Sequence, residues 1–323
     1  MKQMDQVSTR VAFGETLEEL AEHNPDIVVV SADTARSMGL KGLEKKHPER
    51  VINVGIAEQN MMTMAAGLAA DGFLAIATTY APFTCMRALE EVRTFIAYPN
   101  LNVKVVGGMS GITGSIEGVT HQGQEDVPIM TAIPNFVVAV AADACAAREM
   151  TRVLLEHNGP VYLGLGRSQA HTVFSTYHFE VGKGNLMADG EDLTIVTYGS
   201  MVCRCVEARN ILAEEGIHVR LIEMPCIKPL DKEMILKAAR ETGAVLSVED
   251  RTVMGGLGSQ ICQTVCAETP VKVHCMGLQD RFAESGLEDE LYDYCHLGVQ
   301  DVVKAAKALW REKRGLCCEG DEP

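Results

Sequence analysis

The stretch 51–83 constrains the fold more than any other part of this sequence. A β-branched run (51–54) is followed by a helical pattern ending at Asp71-Gly72, and then by a second apolar run (73–79). This order predicts a strand, a helix and another strand. Glu58 falls at the turn between the first strand and the helix. In open α/β folds such turns lie at the carboxyl edge of the sheet, where ligands bind. Glu58 is thus a candidate site residue, although the helix dipole also favours ordinary first-turn glutamates.

Strands and helices alternate along the rest of the chain as well. Apolar runs predict further strands at 26–31, 103–106, 136–140, 161–165, 193–197, 219–222, 244–248 and 271–275. The alternation indicates an α/β fold made of two consecutive units, each a mainly parallel sheet flanked by helices. A stretch rich in Ser, Thr, His and Gly interrupts the rhythm. We therefore expect a first domain at 1–170, a linker at 171–190 and a second domain at 191–323.

Charge and composition exclude several classes of function. The net charge of −15 argues against binding to nucleic acid or to an anionic membrane face, because both need a basic surface. No signal peptide and no membrane span is visible, which predicts a cytoplasmic protein. The 11 cysteines lack the paired spacing of zinc sites, so no metal site is expected on this chain. Cys317 and Cys318 lie in a charged tail whose role the sequence leaves open.

Polar side chains follow the predicted strands of the first unit where each strand ends. Right-handed crossovers bring the carboxyl ends of parallel strands to one edge of a sheet, which favours a common site there. These residues are Asp33 and Ser37, Glu58, Tyr80 and Phe83, Glu117 and His121, and Arg167.

The second unit shows no comparable constellation. Gly255-Gly256-Leu257-Gly258 opens a predicted helix, so an anion would fit there, although a close-packed turn is the simpler interpretation. No nucleophile, base and orienting group come together in this half. We expect a structural and dimerising domain.

The ordered set of short motifs resembles the C-terminal half of transketolase, in the form in which two polypeptides make the enzyme. The resemblance covers essentially the whole chain. The motifs are Ser8-Thr9-Arg10, Ser31-Ala32-Asp33, Gly55-Ile56-Ala57-Glu58-Gln59-Asn60, Gly118-Val119-Thr120-His121-Gln122, Ile133-Pro134-Asn135, Gly166-Arg167, Val248-Glu249-Asp250, Gly255-Gly256-Leu257-Gly258 and Asp280-Arg281-Phe282-Ala283-Glu284-Ser285-Gly286.

The resemblance implies thiamine diphosphate as cofactor and a role for each candidate residue. Glu58 resembles the glutamate that hydrogen-bonds the aminopyrimidine ring, and Phe83 the ring that stacks on it, with Tyr80 as a second wall and Asp33 near the cofactor. His121 resembles the histidine that contacts substrate oxygens at the reacting carbon. Arg10, Ser37 and Arg167 match positions that bind the terminal phosphate of a sugar phosphate, and Glu117 the position that contacts donor hydroxyls.

Two departures from the family pattern leave the sugar preference open. Many transketolases have aspartate where this chain has Glu117, and a phosphate-contacting histidine where it has Met109. The additional methylene of Glu117 moves its carboxylate by roughly 1 Å, and such shifts matter to rate.

The Gly-Asp-Gly…Asn pattern that binds the diphosphate and its metal in the family is absent from this sequence. We therefore expect a complementary subunit to supply the diphosphate domain and Mg²⁺, and two such pairs to associate as α2β2. The expected reaction is transfer of a two-carbon ketol unit from a ketose phosphate to an aldose phosphate.

Three alternatives remain at the level of sequence. They are a deoxyxylulose-phosphate synthase-like protein, the beta subunit of a 2-oxoacid dehydrogenase, and a non-catalytic homologue. Thr120-His121-Gln122 together with Ile133-Pro134-Asn135 favours transketolase over the first two. Glu58, Phe83 and His121 speak against loss of catalysis.

Overall fold

The computed structural model describes residues 7–168 and 171–316, so the Cys317-Cys318 tail lies outside the described residues. The strands in chain order are β1 (Ile27–Ser31), β2 (Val51–Asn53), β3 (Leu74–Tyr80), β4 (Val103–Gly108), β5 (Val137–Val140), β6 (Val161–Leu165), β7 (Asn185–Ala188), β8 (Leu193–Thr197), β9 (Val219–Glu223), β10 (Cys226–Lys228), β11 (Ala244–Thr252) and β12 (Lys272–Leu278). The helices are α1 (Thr9–His23), α2 (Lys41–Lys46), α3 (Glu58–Ala70), α4 (Leu89–Glu91), α5 (Asp126–Ala132), α6 (Ala144–Glu156), α7 (Met201–Glu214), α8 (Lys232–Thr242), α9 (Leu257–Glu268), α10 (Glu288–Tyr294) and α11 (Val299–Lys313).

A seven-stranded sheet forms the first unit, in the order β10-β5-β6-β4-β3-β1-β2. All its pairings are parallel except β10 with β5. The register aligns the carboxyl ends: Tyr80 lies opposite Gly108, and Gly108 lies opposite Leu165. Loops that follow these strands therefore emerge side by side, as the sequence predicts.

Burial on both faces explains why these strands are continuous Val/Ile runs. β1, β5 and β6 are buried along their whole length because helices cover both sides of the sheet. The helix α6 shows how a flank is fixed: the Asp143 side chain caps it by accepting a hydrogen bond from Ala146 N at 2.8 Å. Its buried stripe, which includes Met150 and Leu154, packs in the core.

The second sheet has five strands in the order β12-β11-β8-β9-β7, all parallel except β7 with β9. The mainly parallel α/β fold class predicted for both units is confirmed. The strand β10 was not predicted; it follows β9 in sequence but pairs with β5 of the first sheet. Three residues are too short a run to signal a strand, and long-range pairing with β5 decides its state.

The segment expected to be a linker is anchored at several points. Asp143 accepts hydrogen bonds from the backbone of Val173 and Phe174 at 2.9 and 2.8 Å. The buried carboxylate of Glu223 accepts from Tyr177 Oη and Asn185 Nδ2, both at 2.9 Å. The same segment contains β7, an edge strand of the second sheet.

The region 83–97 is not one regular α-helix. Two π-helical turns, Phe83–Arg87 and Val92–Ala97, flank the short helix α4. Single π turns widen a helix locally and often occur at functional sites. Here the first of them carries both Phe83 and Arg87.

A buried ion cluster joins the two units. Arg251, at the end of β11, places its Nε 2.6 Å from Asp126 Oδ1 of α5, and its Nη1 contacts Asp250. The three side chains are at most 1% exposed. Burial lowers the pKa of Arg251, but the carboxylates of Asp126 and Asp250 outweigh it and raise that pKa above its ordinary value. Tyr162 donates to Asp126 and Tyr292 to Asp250, both at 2.8 Å, so the cluster is well hydrogen-bonded.

No helix among the residues that the structure describes is long and apolar enough to cross a membrane.

Replacing Arg251 by methionine is expected to lower the free energy of unfolding by about 3 to 5 kcal/mol, because two buried carboxylates lose their counter-charge. Urea unfolding followed by circular dichroism measures the change. The matched control is Arg148→Met, which removes an exposed ion pair with Glu15 and should cost about 1 kcal/mol or less. Equal losses in the two variants would contradict a special role for the buried cluster.

Burial of Glu223 generates a pH dependence. Burial raises the pKa of this carboxyl from 4.5 to about 7, although hydrogen bonds from Asn185 and Tyr177 lower it. Between pH ~4.5 and ~7 the folded chain keeps a proton that the unfolded chain loses, so the unfolding free energy falls as pH rises through this window. The pKa of Glu249 is also raised to about 7 by burial, and this group adds a similar slope.

Glu223→Gln is therefore expected to remove one of these two contributions, up to about 3 kcal/mol between pH 4.5 and 7. Urea midpoints measured at half-unit pH steps report the slope. The control, Glu156→Gln, changes an exposed residue and should leave the slope as in the wild type. A slope unchanged by Glu223→Gln would show that this carboxyl is ionised throughout the window.

Candidate active site

The carboxyl edge of the first sheet collects most of the predicted site residues. Ser37 follows β1, Glu58 begins α3 after β2, and Tyr80 ends β3. Glu117 and His121 lie on the loop between β4 and α5, and Arg167 follows β6. Since these strands are parallel and aligned, their ends meet at one edge, and Arg10 joins them from the first turn of α1.

Glu58 is buried although it lies in the first turn of a helix, being 3% exposed. Among the described residues its side chain has one partner, Arg87, whose Nη1 is 3.4 and 3.5 Å from the two carboxylate oxygens. These are long contacts, so much of the hydrogen-bonding capacity of the carboxylate stays available. Arg87 itself is exposed, and sequence analysis missed it because its contacts with Glu58 and Phe83 depend on how the π turn is wound.

Three rings form an aromatic cluster beside Glu58. The ring centroids of Phe83 and His121 are 5.5 Å apart and nearly edge-on, and those of Tyr80 and His121 are 5.7 Å apart. Tyr80 and Phe83 are 5.9 Å apart. The Arg87 guanidinium lies 4.7 Å from the Phe83 ring centre, which links this cluster to Glu58. The cluster offers flat apolar surface and one imidazole, a combination suited to a planar heterocyclic ligand.

Three charged side chains, Arg10, Glu117 and Arg167, form a charged group farther along the same edge. Arg167 Nε is 3.1 Å from Glu117 Oε1, and both side chains are partly exposed. Arg10 is close enough to Arg167 to feel its charge: burial and then the charge of Arg167 lower the pKa of Arg10. Within the described chain, Arg10 Nε and Glu117 Oε2 are both buried without a hydrogen-bond partner. The first atom is a hydrogen-bond donor and the second an acceptor. A buried donor and a buried acceptor without partners suit a ligand that carries both an anionic group and hydroxyls.

Ser37 anchors Tyr80 of the aromatic cluster. Tyr80 Oη donates a hydrogen bond to Ser37 Oγ at 3.0 Å, and Ser37 Oγ donates to the Thr34 carbonyl at 2.9 Å. These two hydrogen bonds fix the phenol of Tyr80 while its ring stays in the aromatic cluster.

Asp33 and Met109 lie apart from these contacts. Asp33 is exposed, adopts a left-handed backbone (φ 58°), and accepts a hydrogen bond from Asn53 Nδ2 at 3.1 Å. It therefore contacts neither the aromatic nor the charged group. Met109 also has positive φ (56°), and it is 2% exposed.

The glycine-rich turn of the second unit is a close-packed turn around an internal carboxylate. Glu249 accepts hydrogen bonds from the backbone N–H groups of Leu257 and Gly258 at 3.1 and 3.0 Å. A Cβ on Gly256 would lie 2.3 Å from Glu249 Oε2. The protein's own carboxylate thus fills the helix N-terminus that an external anion would need. In the described ranges no three His, Cys, Asp or Glu side chains are grouped so that they would hold a metal ion.

Comparison with known proteins agrees with this architecture. Residues 5–172 match the family model of the transketolase pyrimidine binding domain, and residues 182–302 match that of the transketolase C-terminal domain. A putative transketolase C-terminal section from Methanocaldococcus jannaschii is 39% identical over 91% of this chain and 94% of that protein. A 6-deoxy-6-sulfo-D-fructose transketolase subunit from a Clostridium species is 36% identical over 94% of this chain and 95% of that protein.

A solved structure shows the same fold at higher identity. A split gene transketolase, described as an inactive β4 tetramer, is 41% identical and superposes with a TM-score of 0.89 over 95% of this chain and 100% of that one. The chain belongs to the transketolase family. It corresponds to the pyrimidine-binding and C-terminal domains, so the resemblance seen in the sequence is confirmed. Membership of this family implies dependence on thiamine diphosphate.

The geometry fits the pyrimidine end of that cofactor. The ring needs a hydrogen-bonding carboxyl group, and Glu58 is buried with only one long contact. The ring also needs aromatic surface, which Phe83 and Tyr80 provide within 6 Å of each other.

The charged group is expected to bind inorganic phosphate weakly, with Glu117 competing for Arg167. Glu117→Gln should tighten phosphate binding roughly fivefold and Arg167→Leu should weaken it by at least as much, each about 1 kcal/mol for a partly exposed ion pair. Isothermal titration calorimetry on the purified chain measures both. Arg148→Leu is the control. Changes of the same sign in the two variants would refute competition.

Proposed function

We propose that this chain is the pyrimidine-binding and C-terminal subunit of a two-polypeptide transketolase. The reaction is the transfer of a two-carbon ketol unit from a ketose phosphate to an aldose phosphate. The observation that carries the proposal is the buried Glu58 carboxylate beside the aromatic cluster of Tyr80, Phe83 and His121, at the carboxyl edge of the sheet.

Glu58 is the proposed proton-sharing residue. Thiamine diphosphate supplies, when bound, a nucleophilic carbon and an electron sink. Glu58 would hold a hydrogen bond to a ring nitrogen of the aminopyrimidine, and its burial keeps water from competing for that bond. Phe83 would stack on the ring, and Tyr80 would close the second side. Asp33, which is exposed, would lie at the rim of the cofactor site.

His121 and the charged group would bind the substrate. The His121 ring shares the aromatic cluster with Phe83 at 5.5 Å, a position from which it would hydrogen-bond oxygens next to the reacting carbon. Its Nδ1 is 2.9 Å from Thr120 Oγ1, which orients the ring and leaves Nε2 for substrate. Arg10, Ser37 and Arg167 would hold the terminal phosphate, and Glu117 would accept a hydrogen bond from a sugar hydroxyl.

A complementary subunit would supply the diphosphate site and Mg²⁺, and two such pairs would assemble as α2β2. Exposed apolar side chains on the segments that carry Glu58 and Arg87 support this. Ile56 is 77% exposed and Met86, adjacent to Arg87, is 42% exposed, and Phe95 and Tyr98 follow on the next turns. Exposed apolar patches mark protein interfaces. A related split gene transketolase forms an inactive β4 tetramer, which supports the need for a second kind of subunit.

Glu58→Gln in the reconstituted enzyme is expected to lower kcat by about 10²- to 10⁴-fold, because an amide cannot share a proton with the ring. The assay combines the chain with a diphosphate-binding subunit, Mg²⁺, thiamine diphosphate, a panel of ketose phosphates and an aldose phosphate acceptor. Glu90→Gln, the same change at an exposed residue, is the control.

Near-normal turnover by Glu58→Gln would refute the proposed role of this carboxyl. Turnover by the chain alone would refute the two-polypeptide arrangement. Product formed from pyruvate instead of a ketose phosphate would indicate the synthase alternative.

A further inference from the structure

The loop 109–125, which carries Glu117 and His121, has little regular structure of its own. It contains one 3₁₀ turn, Ser115–Glu117, and isolated bridges from Ser110 and Gly111 to Gly123. A loop of this length needs external contacts to hold two functional side chains in place. The structure shows where those contacts come from.

The second unit contacts this loop along its length. Thr252 N donates a hydrogen bond to the Gln124 carbonyl at 3.1 Å. Ile112, fully buried, packs in the apolar core of the second unit. A Cβ on Gly111 would lie 2.4 Å from Asp250 Oδ2, so the loop backbone touches the buried ion cluster.

Gln122 makes the contact nearest to His121. It is 1% exposed, and its Nε2 donates a hydrogen bond to the Glu284 carbonyl of the second unit at 2.9 Å. Gln124 Nε2 donates to Gln122 Oε1 at 3.0 Å, which fixes the orientation of the Gln122 amide. His121 and Gln122 are consecutive: one side chain joins the aromatic cluster, and the other is anchored in the second unit.

Ser285 makes the contact nearest to Glu117. Gly118 has φ +75°, and a Cβ there would lie 2.3 Å from Ser285 Oγ. Only glycine allows this approach, both because of its backbone conformation and because the space is filled. The residue before this glycine is Glu117.

We infer that the segment 284–285 of the second unit positions His121 and Glu117 for catalysis, through Gln122 and Gly118. This inference rests on the proposed function. It gives the second unit a role in the reaction, where the sequence indicated only a structural and dimerising domain. Gln122 and Ser285 are positioning residues: neither side chain touches the aromatic cluster, and each acts through its neighbour.

Hydrogen exchange tests the physical contact without any assay of activity. Gln122→Leu keeps the size of the side chain and removes the donor to Glu284. Exchange at the amides of 115–123 should become about fivefold faster or more, the equivalent of about 1 kcal/mol, while β4 is unchanged. Gln260→Leu is the matched control, since within the described residues the Gln260 amide nitrogen is buried without a partner. Unchanged exchange in Gln122→Leu would overturn the inference.

Kinetics of the reconstituted enzyme then test the effect on catalysis. Gln122→Leu should lower kcat about 10- to 100-fold, the scale expected for a small misplacement of a catalytic group, and change the Kd of thiamine diphosphate less than about twofold. Ser285→Leu should lower kcat by a similar factor, because the larger side chain displaces Gly118. Ser285 is exposed, so this variant tests the contact without changing a buried residue of the loop 109–125.

A double-mutant cycle with His121→Ala separates positioning from general damage. If Gln122 acts through His121, Gln122→Leu should cost little further activity once His121 is gone. Full additivity, or equal kcat losses in Gln122→Leu and Gln260→Leu, would overturn the inference. The two reconstituted wild-type subunits could transfer no ketol unit while hydrogen exchange in Gln122→Leu is still faster. That outcome would refute the proposed function and leave the contact between Gln122 and Glu284 supported.

Discussion

The contact on which the rest of the molecule depends is the burial of Arg251 between Asp126 and Asp250. Asp126 comes from the first unit and Asp250 from the second, so the guanidinium has both counter-charges only when the two units are packed together. Its energetic weight comes less from the attraction itself than from the cost of leaving any of the three charges buried alone. Asp126 begins the helix that follows the loop 109–125, which places the cluster directly behind the loop bearing Glu117 and His121.

The architecture of the site follows from this packing. The first sheet brings Glu58, Tyr80 and Phe83 to one edge because the strands that they end or follow are aligned in register. His121 and Glu117 come from a loop that the sheet does not hold, and the second unit holds it through Thr252, Glu284 and Ser285. The site therefore has one part that depends on the sheet and another that depends on how the two units meet.

Several features were readable from the residues because their cause is local. Buried Val/Ile runs and amphipathic stripes predict strands and helices, and parallel strands bring their ends together without further information. That reasoning placed Glu58, Tyr80, Phe83, His121 and Arg167 at one edge. It missed Arg87, because the contacts of this residue depend on how the π turn is wound. It also missed β10, whose three residues become a strand only by pairing with β5. The Glu117–Arg167 ion pair was also not foreseen, since the two residues are far apart in sequence.

By itself the sequence determined the class of fold, the family and the edge at which the site lies, because periodicity, turn residues and short motifs act over a few neighbouring positions. Only the tertiary structure decided which of those polar residues touch. It separated Asp33 from the others, paired Glu117 with Arg167, filled the turn at Gly256 with Glu249, and set Gln122 against Glu284. The physical reason is that contacts between distant residues depend on the packing of whole elements, and a change of a few tenths of an ångström in that packing makes or removes a hydrogen bond.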